Sequence, residues 1–211
     1  MRKVSMVASI AAFIGVICIT TSCQQPAADT KPEAMALTDK SVDSSTMYGG
    51  YASAAKWGEH LVTISGCHDC HTPKKFGPKG MEFDMSKALS GHPAELPVPD
   101  VNRKETEKKG LATSNDFTVW VGPWGVSFAA NLTPDPTGTG AWKEEQFLYA
   151  IRNGVFKGLQ GSRPLLPPMP WQNFANMTDD ELKAIFAYLR TVPPISNVVP
   201  AALPPVTAAK Q

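Results

Sequence analysis

Charge of either sign is scarce in this chain: of its 211 residues 18% are Asp, Glu, Lys or Arg, and the net charge is +1. With no Lys/Arg-rich block to grip a phosphate backbone, nucleic-acid binding is set aside. Long apolar runs are as rare. The longest, Val4 to Ile19, is short for the roughly 20 residues that span a bilayer, and Ser5, Ser9 and Gly15 interrupt it. Cysteine is limited to Cys18, Cys23, Cys67 and Cys70, and histidine to His60, His68, His71 and His92. With Cys18 and Cys23 falling in the N-terminal stretch read below as a signal and its processing site, the mature chain is expected to hold no second Cys pair for a four-ligand zinc site.

What is present begins with Arg2 and Lys3, the apolar run and the small residues Thr20-Thr21-Ser22 before Cys23, which together have the three parts of a secretory signal. Residues 1–22 are expected to be removed. The Ser22-Cys23 junction resembles a bacterial lipobox, with Thr20 standing where Leu is usual, and on that reading Cys23 is acylated and tethers the protein to a membrane. Gln24 after it leans toward the outer membrane. Plain cleavage to a soluble periplasmic protein is the alternative. Residues 23–46 are Gln, Pro, Ala, Asp, Thr, Lys and Ser with almost no large apolar side chain, the composition of a flexible tether. The hydrophobic fraction of 43% suits one folded domain, expected over residues 47–197, followed by a Pro/Ala-rich tail at 198–211 that prolines keep non-helical.

The chain is organised around Cys67-His68-Asp69-Cys70-His71. A C-x-x-C-H run in an exported protein is the attachment sequence of a c-type haem. Two thiols three positions apart can each form a thioether to one porphyrin edge, while the adjacent His71 turns its imidazole to the iron. With Cys18 lost in the signal and Cys23 a lipid site, no pair remains for a disulfide. A thioredoxin-like C-x-x-C is the competing reading of the pair.

Around the motif, Ala54, Trp57, Leu61 and Ile64 recur at helical spacing and predict an amphipathic helix over 53–65, which Gly66 ends. His60 on that helix reads as a surface or packed histidine. Thr72-Pro73 makes a turn. Residues 74–116 carry little pattern, and the charged run from Asp100 to Lys109 reads as a solvated loop. Met81, Met85 and His92 lie in this stretch; each has the chemistry of a second iron ligand, and each reads better as a loop residue. Runs at 117–121 and 126–130 about Gly122-Pro123-Trp124-Gly125 predict a small β-hairpin. A helix is expected from Lys143 to Gly154, with Phe147, Leu148 and Ile151 on one face.

Downstream, Met169 is caged in Leu165-Leu166-Pro167-Pro168-Met169-Pro170-Trp171. Prolines restrict the backbone there, so the thioether can be held at one point, and such a sulfur is a common sixth ligand of a c-type haem. Met177 is the rival. It stands before Thr178, which with Glu181 forms a capping box, so it reads as a hydrophobic staple at the mouth of a helix over 179–190. That helix is expected to cross the first one.

These residues resemble a class I cytochrome c, and more closely the haem domains in the cytochrome subunits of bacterial membrane-associated dehydrogenases. The resembling stretches are Gly58-Glu59-His60-Leu61-Val62 leading to Cys67-His68-Asp69-Cys70-His71-Thr72-Pro73, Ala130-Asn131-Leu132-Thr133-Pro134-Asp135 with Gly138 to Trp142, Pro168-Met169-Pro170-Trp171, and Met177 to Leu182 with Ala187-Tyr188-Leu189. The resemblance covers roughly residues 50–195. It implies a mostly α-helical cytochrome c-like domain around one covalently attached haem, here with a short β-hairpin insertion. It also implies His71/Met169 ligation, and electron transfer from a dehydrogenase or respiratory donor to a terminal acceptor. Those subunits carry several C-x-x-C-H sites and this chain has one, which makes it a single carrier rather than a wire. Trp124, Trp171 and Arg163 are candidate pocket residues, Arg163 toward a haem propionate. A haem enzyme or gas sensor with His92 as distal base, and a surface lipoprotein with an incidental C-x-x-C, are the alternatives to an electron carrier.

Overall fold

The computed structural model describes residues 47–206, so Cys18, Cys23, the expected signal, the expected tether and the last five residues lie outside the described residues. Among the described residues there are six helices and five strands in two small sheets. No helix among them is long and apolar enough to cross a membrane.

Helix α1 (Ala54–Ile64) starts where Ser53 Oγ accepts the Lys56 N–H at 3.2 Å. Its buried side is Gly58, Leu61 and Val62. Ile64, expected in the core stripe, is 64% exposed, while Val62 is fully buried. The apolar face is turned toward Gly58 because the absence of a side chain there is what lets helix α6 (Asp179–Leu189) approach. A Cβ on Gly58 would stand 1.8 Å from the Ala184 carbonyl oxygen. The predicted capping box begins α6, with Thr178 and Glu181 each bonding the other's backbone N–H. A single turn, α5 (Trp171–Phe174), precedes it. Helix α4 (Glu144–Asn153) ends at Gly154 in the left-handed region (φ 59) and stacks Phe147 on Phe186 of α6 at 5.3 Å. Leu61, Val62, Leu89, Phe147, Ile151, Leu182, Ile185, Phe186 and Leu189 form the main core.

The C-x-x-C-H run is itself one helical turn, α2 (Cys67–His71), joined to α1 through Gly66 at φ 67. After it, β1 (Lys74–Gly77) and β2 (Gly80–Phe83) form an antiparallel hairpin. The charged run expected as a loop folds instead as α3 (Arg103–Lys109). Asn102 caps it, and the i,i+4 pairs Arg103–Glu107 (2.7 Å) and Glu105–Lys109 (2.8 Å) brace it.

The predicted hairpin is present as β4 (Val119–Gly122) and β5 (Gly125–Phe128), with β3 (Ala112–Thr113) on the other edge of β4. Phe117 lies outside the strand, at φ 52. Val119, Val121 and Val126 are fully buried and make a second, smaller core. Beyond α6 the chain stays non-helical, as its prolines require, and Leu203 exchanges two backbone hydrogen bonds with Val126 (2.9 and 3.0 Å), covering the open edge of β5.

Candidate functional site

Within one helical turn, positions i, i+3 and i+4 share a side. In α2 these are Cys67, Cys70 and His71, while His68 and Asp69 fall on the other. Cys67 packs against the main helical core, and both cysteines are free thiols. Burial pushes the Cys67 thiol up to about 12 and raises that of Cys70 as well, so neither is a ready thiolate in the protein as folded.

His71 is buried, and its Nδ1 lies 2.7 Å from the Ala130 carbonyl oxygen. A carbonyl only accepts, so Nδ1 carries the hydrogen and the lone pair is on Nε2. Burial holds this imidazole below the ordinary histidine range, which favours the neutral form that a metal needs. Among the described residues Nε2 has no hydrogen-bond partner, and no buried polar side-chain atom is left sealed without one. Nε2 therefore offers an uncommitted lone pair, from the residue that shares a side of the turn with both thiols.

The outer side of the turn is held independently. His68 Nδ1 meets Thr72 Oγ1 at 2.8 Å, the same Oγ1 accepts the Leu89 N–H at 2.9 Å, and the Phe83 ring lies 5.9 Å from the His68 ring. Gly91 N–H donates to the His71 carbonyl at 2.8 Å.

Met169 sits partly buried against the same core as Cys67. Its loop is tied at three places. Leu165 N–H donates to Gly154 O at 2.7 Å, Ser127 Oγ donates to Pro167 O at 2.6 Å, and the Trp171 indole covers Gly154 so closely that a Cβ there would come within 2.3 Å of it. Trp124 enters this support, its indole N–H reaching Ser127 Oγ at 3.0 Å. Met177 borders the same core at the start of α6.

The other candidates lie elsewhere. Met81 and Met85 are exposed on β2 and the turn after it. His60 is exposed and stacks on Tyr51 at 5.1 Å. His92 is fully buried with both ring nitrogens engaged, Nδ1 to Thr118 Oγ1 (2.8 Å) and Nε2 to Leu96 O (3.1 Å), so it has no lone pair to offer iron or substrate. Arg163 is exposed and lies over the Phe156 ring at 3.8 Å. Sequence reasoning missed the Ala130 carbonyl and Ser127. A backbone acceptor leaves no trace in residue type, whereas a lone serine between Val126 and Phe128 in a buried strand was a signal.

The donor set fits a covalently held haem: two thiols and a neutral imidazole with a free Nε2 on one side of a turn, and a thioether on the same core. It does not fit zinc, since among the described residues no group of three or more His, Cys, Asp or Glu side chains is placed to hold a metal ion.

No family model matches the chain. It is similar to cytochrome c subunits of dehydrogenases. Over 134 residues, 63% of this chain, it is 28% identical to the cytochrome c subunit of the quinone-type alcohol dehydrogenase of Gluconobacter oxydans. Over 77 residues, 36% of this chain, it is 36% identical to the gluconate 2-dehydrogenase cytochrome c subunit of Pantoea cypripedii. Over 80 residues, 37% of this chain, it is 36% identical to one of the subunits of the nicotinate dehydrogenase of Pseudomonas putida. The matched stretches amount to 20%, 17% and 6% of those proteins' own lengths.

Proposed function

We propose that this chain is a mono-haem c-type cytochrome of the class I kind, a one-electron carrier and not an enzyme, working between a donor dehydrogenase or respiratory complex and a terminal acceptor. In this reading Cys67 and Cys70 form the thioethers, His71 Nε2 is the proximal ligand and Met169 Sδ the distal one. Bound there, haem c supplies an iron centre that gains and loses one electron. The chain's own residues do the rest. Ala130 O orients the His71 ring and keeps its tautomer, Ser127 and Gly154 hold the methionine loop, and Leu61, Leu182 and their neighbours exclude water from one side. The expected signal at 1–22, the tether at 23–46 and acylation at Cys23 complete the proposal. They place the domain on the periplasmic side of a bacterial membrane, with soluble periplasmic protein as the alternative.

The observation that carries the proposal is the shared side of α2, where two free thiols flank an imidazole whose Nε2 is uncommitted. Similarity to dehydrogenase cytochrome subunits supports the same reading. A haem enzyme or sensor using His92 as distal base is disfavoured by the engagement of both its ring nitrogens.

The test is the optical spectrum of the purified, haem-loaded protein in both redox states, with haem counted per chain. One haem, a low-spin spectrum with the weak near-infrared sulfur-to-iron band, and indifference to carbon monoxide are expected. A high-spin spectrum or ready carbon monoxide binding overturns His/Met ligation and the carrier role with it.

A further inference from the structure

Three residues past His71, the Lys74 ammonium is held against the Cys67–His71 turn by contacts that the electron-carrier reading leaves unused. Its Nζ donates to the Asp69 carbonyl, and it lies 5.5 Å from the centre of the Phe83 ring and 5.8 Å from that of Phe117. Both separations are within the reach of cation–π attraction. The register of the β1–β2 hairpin accounts for Phe83: Lys74 and Phe83 are directly paired, so their side chains share a face. The same ring lies 5.9 Å from that of His68, which ties the hairpin to the turn.

Phe117 arrives from a different part of the chain, and under strain. It holds φ 52, a left-handed conformation that a bulky residue seldom adopts and that marks a position built for a purpose. A compact turn imposes it. Phe117 N–H donates to Ser114 O at 3.1 Å, Ser114 Oγ donates to Asp116 Oδ1 at 2.5 Å, and Thr118 Oγ1 donates to Asp116 Oδ2 at 2.8 Å. The result is a ring, 39% exposed, laid over a lysine instead of into the core.

The charge so held is not cancelled nearby. Among the described residues Lys56, Lys87 and Lys109 each lie within 3.1 Å of a glutamate, whereas Lys74 makes no ion pair. The chargeable groups facing it are Cys70, Asp116 and Asp69. Of these, Cys70 loses its charge on forming a thioether, Asp116 has both carboxylate oxygens engaged by hydroxyls, and Asp69 is exposed to water. Lys75, the next residue of β1, is exposed on the opposite face, paired in register with Glu82.

We propose that Lys74 is a potential-setting residue: a cation, clasped by Phe83, Phe117 and the Asp69 carbonyl, that favours the reduced state of the metal that His71 binds. This inference rests on the haem reading. Reduction takes one electron from the donor protein, moves no proton, and removes one positive charge at the metal, which relieves repulsion from the Lys74 ammonium. Two rings displace water from that ammonium, so its field is screened less than that of an exposed lysine such as Lys75.

The experiment uses the full-length, haem-loaded protein. Midpoint potential is measured at low and high salt for the wild type, Lys74→Met, Lys74→Arg, Lys75→Met and Phe117→Leu, with the sulfur-to-iron band recorded for each. Lys74→Met keeps the stem and removes the charge. It should shift the electron-exchange equilibrium about threefold toward the oxidised form, the scale of a charge interaction at a partly exposed site. For one electron that is a drop of about 28 mV, at roughly 59 mV per tenfold. Lys74→Arg should stay near the wild type. Lys75→Met should differ little and lose that difference in salt. Phe117→Leu lets water reach the ammonium and should make the potential salt-dependent. The band should survive in all four variants. An unchanged potential in Lys74→Met, or an equal drop in Lys75→Met, overturns the proposal. So does an equal drop in Lys74→Arg, which would show a brace of the turn rather than a charge. Should Lys74→Met fail to take up haem, Phe117→Leu decides, a salt response equal to that of the wild type overturning the proposal. In the reduced protein the Lys74 ammonium 15N–H signal should exchange with water slowly, and faster in Phe117→Leu; exchange as fast as that of Lys75 refutes the cage. A wild type without the sulfur-to-iron band would instead refute the ligation, so the two failures are distinguishable.

Discussion

Gly58 and Ala184 meet at the crossing of α1 and α6, where a single added carbon on Gly58 would stand 1.8 Å from the Ala184 carbonyl oxygen and 2.9 Å from Tyr188 Cβ. Backbone cannot yield as a flexible side chain can, so the helices must part. Gly58→Ala is expected to cost about 3 kcal/mol, the upper range for overpacking, measured by denaturant unfolding. Gly110→Ala is the control, since its φ of 172 is ordinary extended backbone and nothing lies within 4 Å; its midpoint should scarcely move.

Two methionines border the same core, and substitution separates their roles. Met169→Ala should abolish the sulfur-to-iron band and lower the midpoint potential. Met177→Ala should leave the band intact and cost about 2 kcal/mol of stability through lost packing at the α6 entrance. If the band survived Met169→Ala and vanished with Met177→Ala, the ligand assignment would pass to Met177.

Asp179 receives Arg152 Nη2 at 2.6 Å across from α4, and that hydrogen bond, together with the Arg152 charge, holds its carboxyl below the ordinary value of 3.8. A carboxylate depressed in the folded state adds stability above its unfolded pKa and loses it as pH falls through the lower folded value. Asp179→Asn should therefore unfold more readily than wild type at pH 7, and the gap should close toward pH 2. Because the pair is exposed, added salt should narrow it too.

Glu107, nearly buried on α3, accepts from Arg103 with one carboxylate oxygen and from the Val206 N–H with the other at 2.8 Å, while Arg103 reaches Pro204 O at 2.7 Å. Glu107→Ala strands the Arg103 guanidinium and frees the Val206 amide. The expected loss is about 1–3 kcal/mol. Native-state hydrogen exchange should locate it, with the Leu203 and Val126 amides exchanging faster while those of α1 and α6 are unchanged. Uniform acceleration across the fold would show that the clamp is not local.

Local chemistry made some elements legible. Thr178 and Glu181 announced α6, Gly154 closed α4, and Val119 to Phe128 folded back about Pro123-Trp124, each through bonds within a few residues. Cys67 to His71 were equally readable as a group because one turn of helix brings them together. What escaped depended on distant partners. Helix α3 has no apolar stripe to betray it, β2 is exposed along its length, and the single side chain of Asn197 binds the backbone of Ser90, His92 and Ala94. Ile64 was misplaced because an apolar-stripe count gives no weight to Gly58, the residue on which the helix contact turns. The acceptor behind His71 is a peptide oxygen at Ala130, which no residue alphabet records.

The closing contacts of the last segment, Asn197 to Ser90 and His92, Arg103 to Pro204 and Glu107 to Val206, each span about a hundred residues. A ribosome makes the chain from its first residue to its last, so the middle third waits with an uncovered strand edge until the end has been made. Contacts of such long span slow folding, because the loop entropy must be surrendered before the contact forms. The α1–α6 pair, complete by Leu189, is available earlier. Assembly of this protein thus falls into two acts, a helical frame first and a later sealing of the sheet, and the interval between them is when Val126 stands unguarded against pairing with another copy.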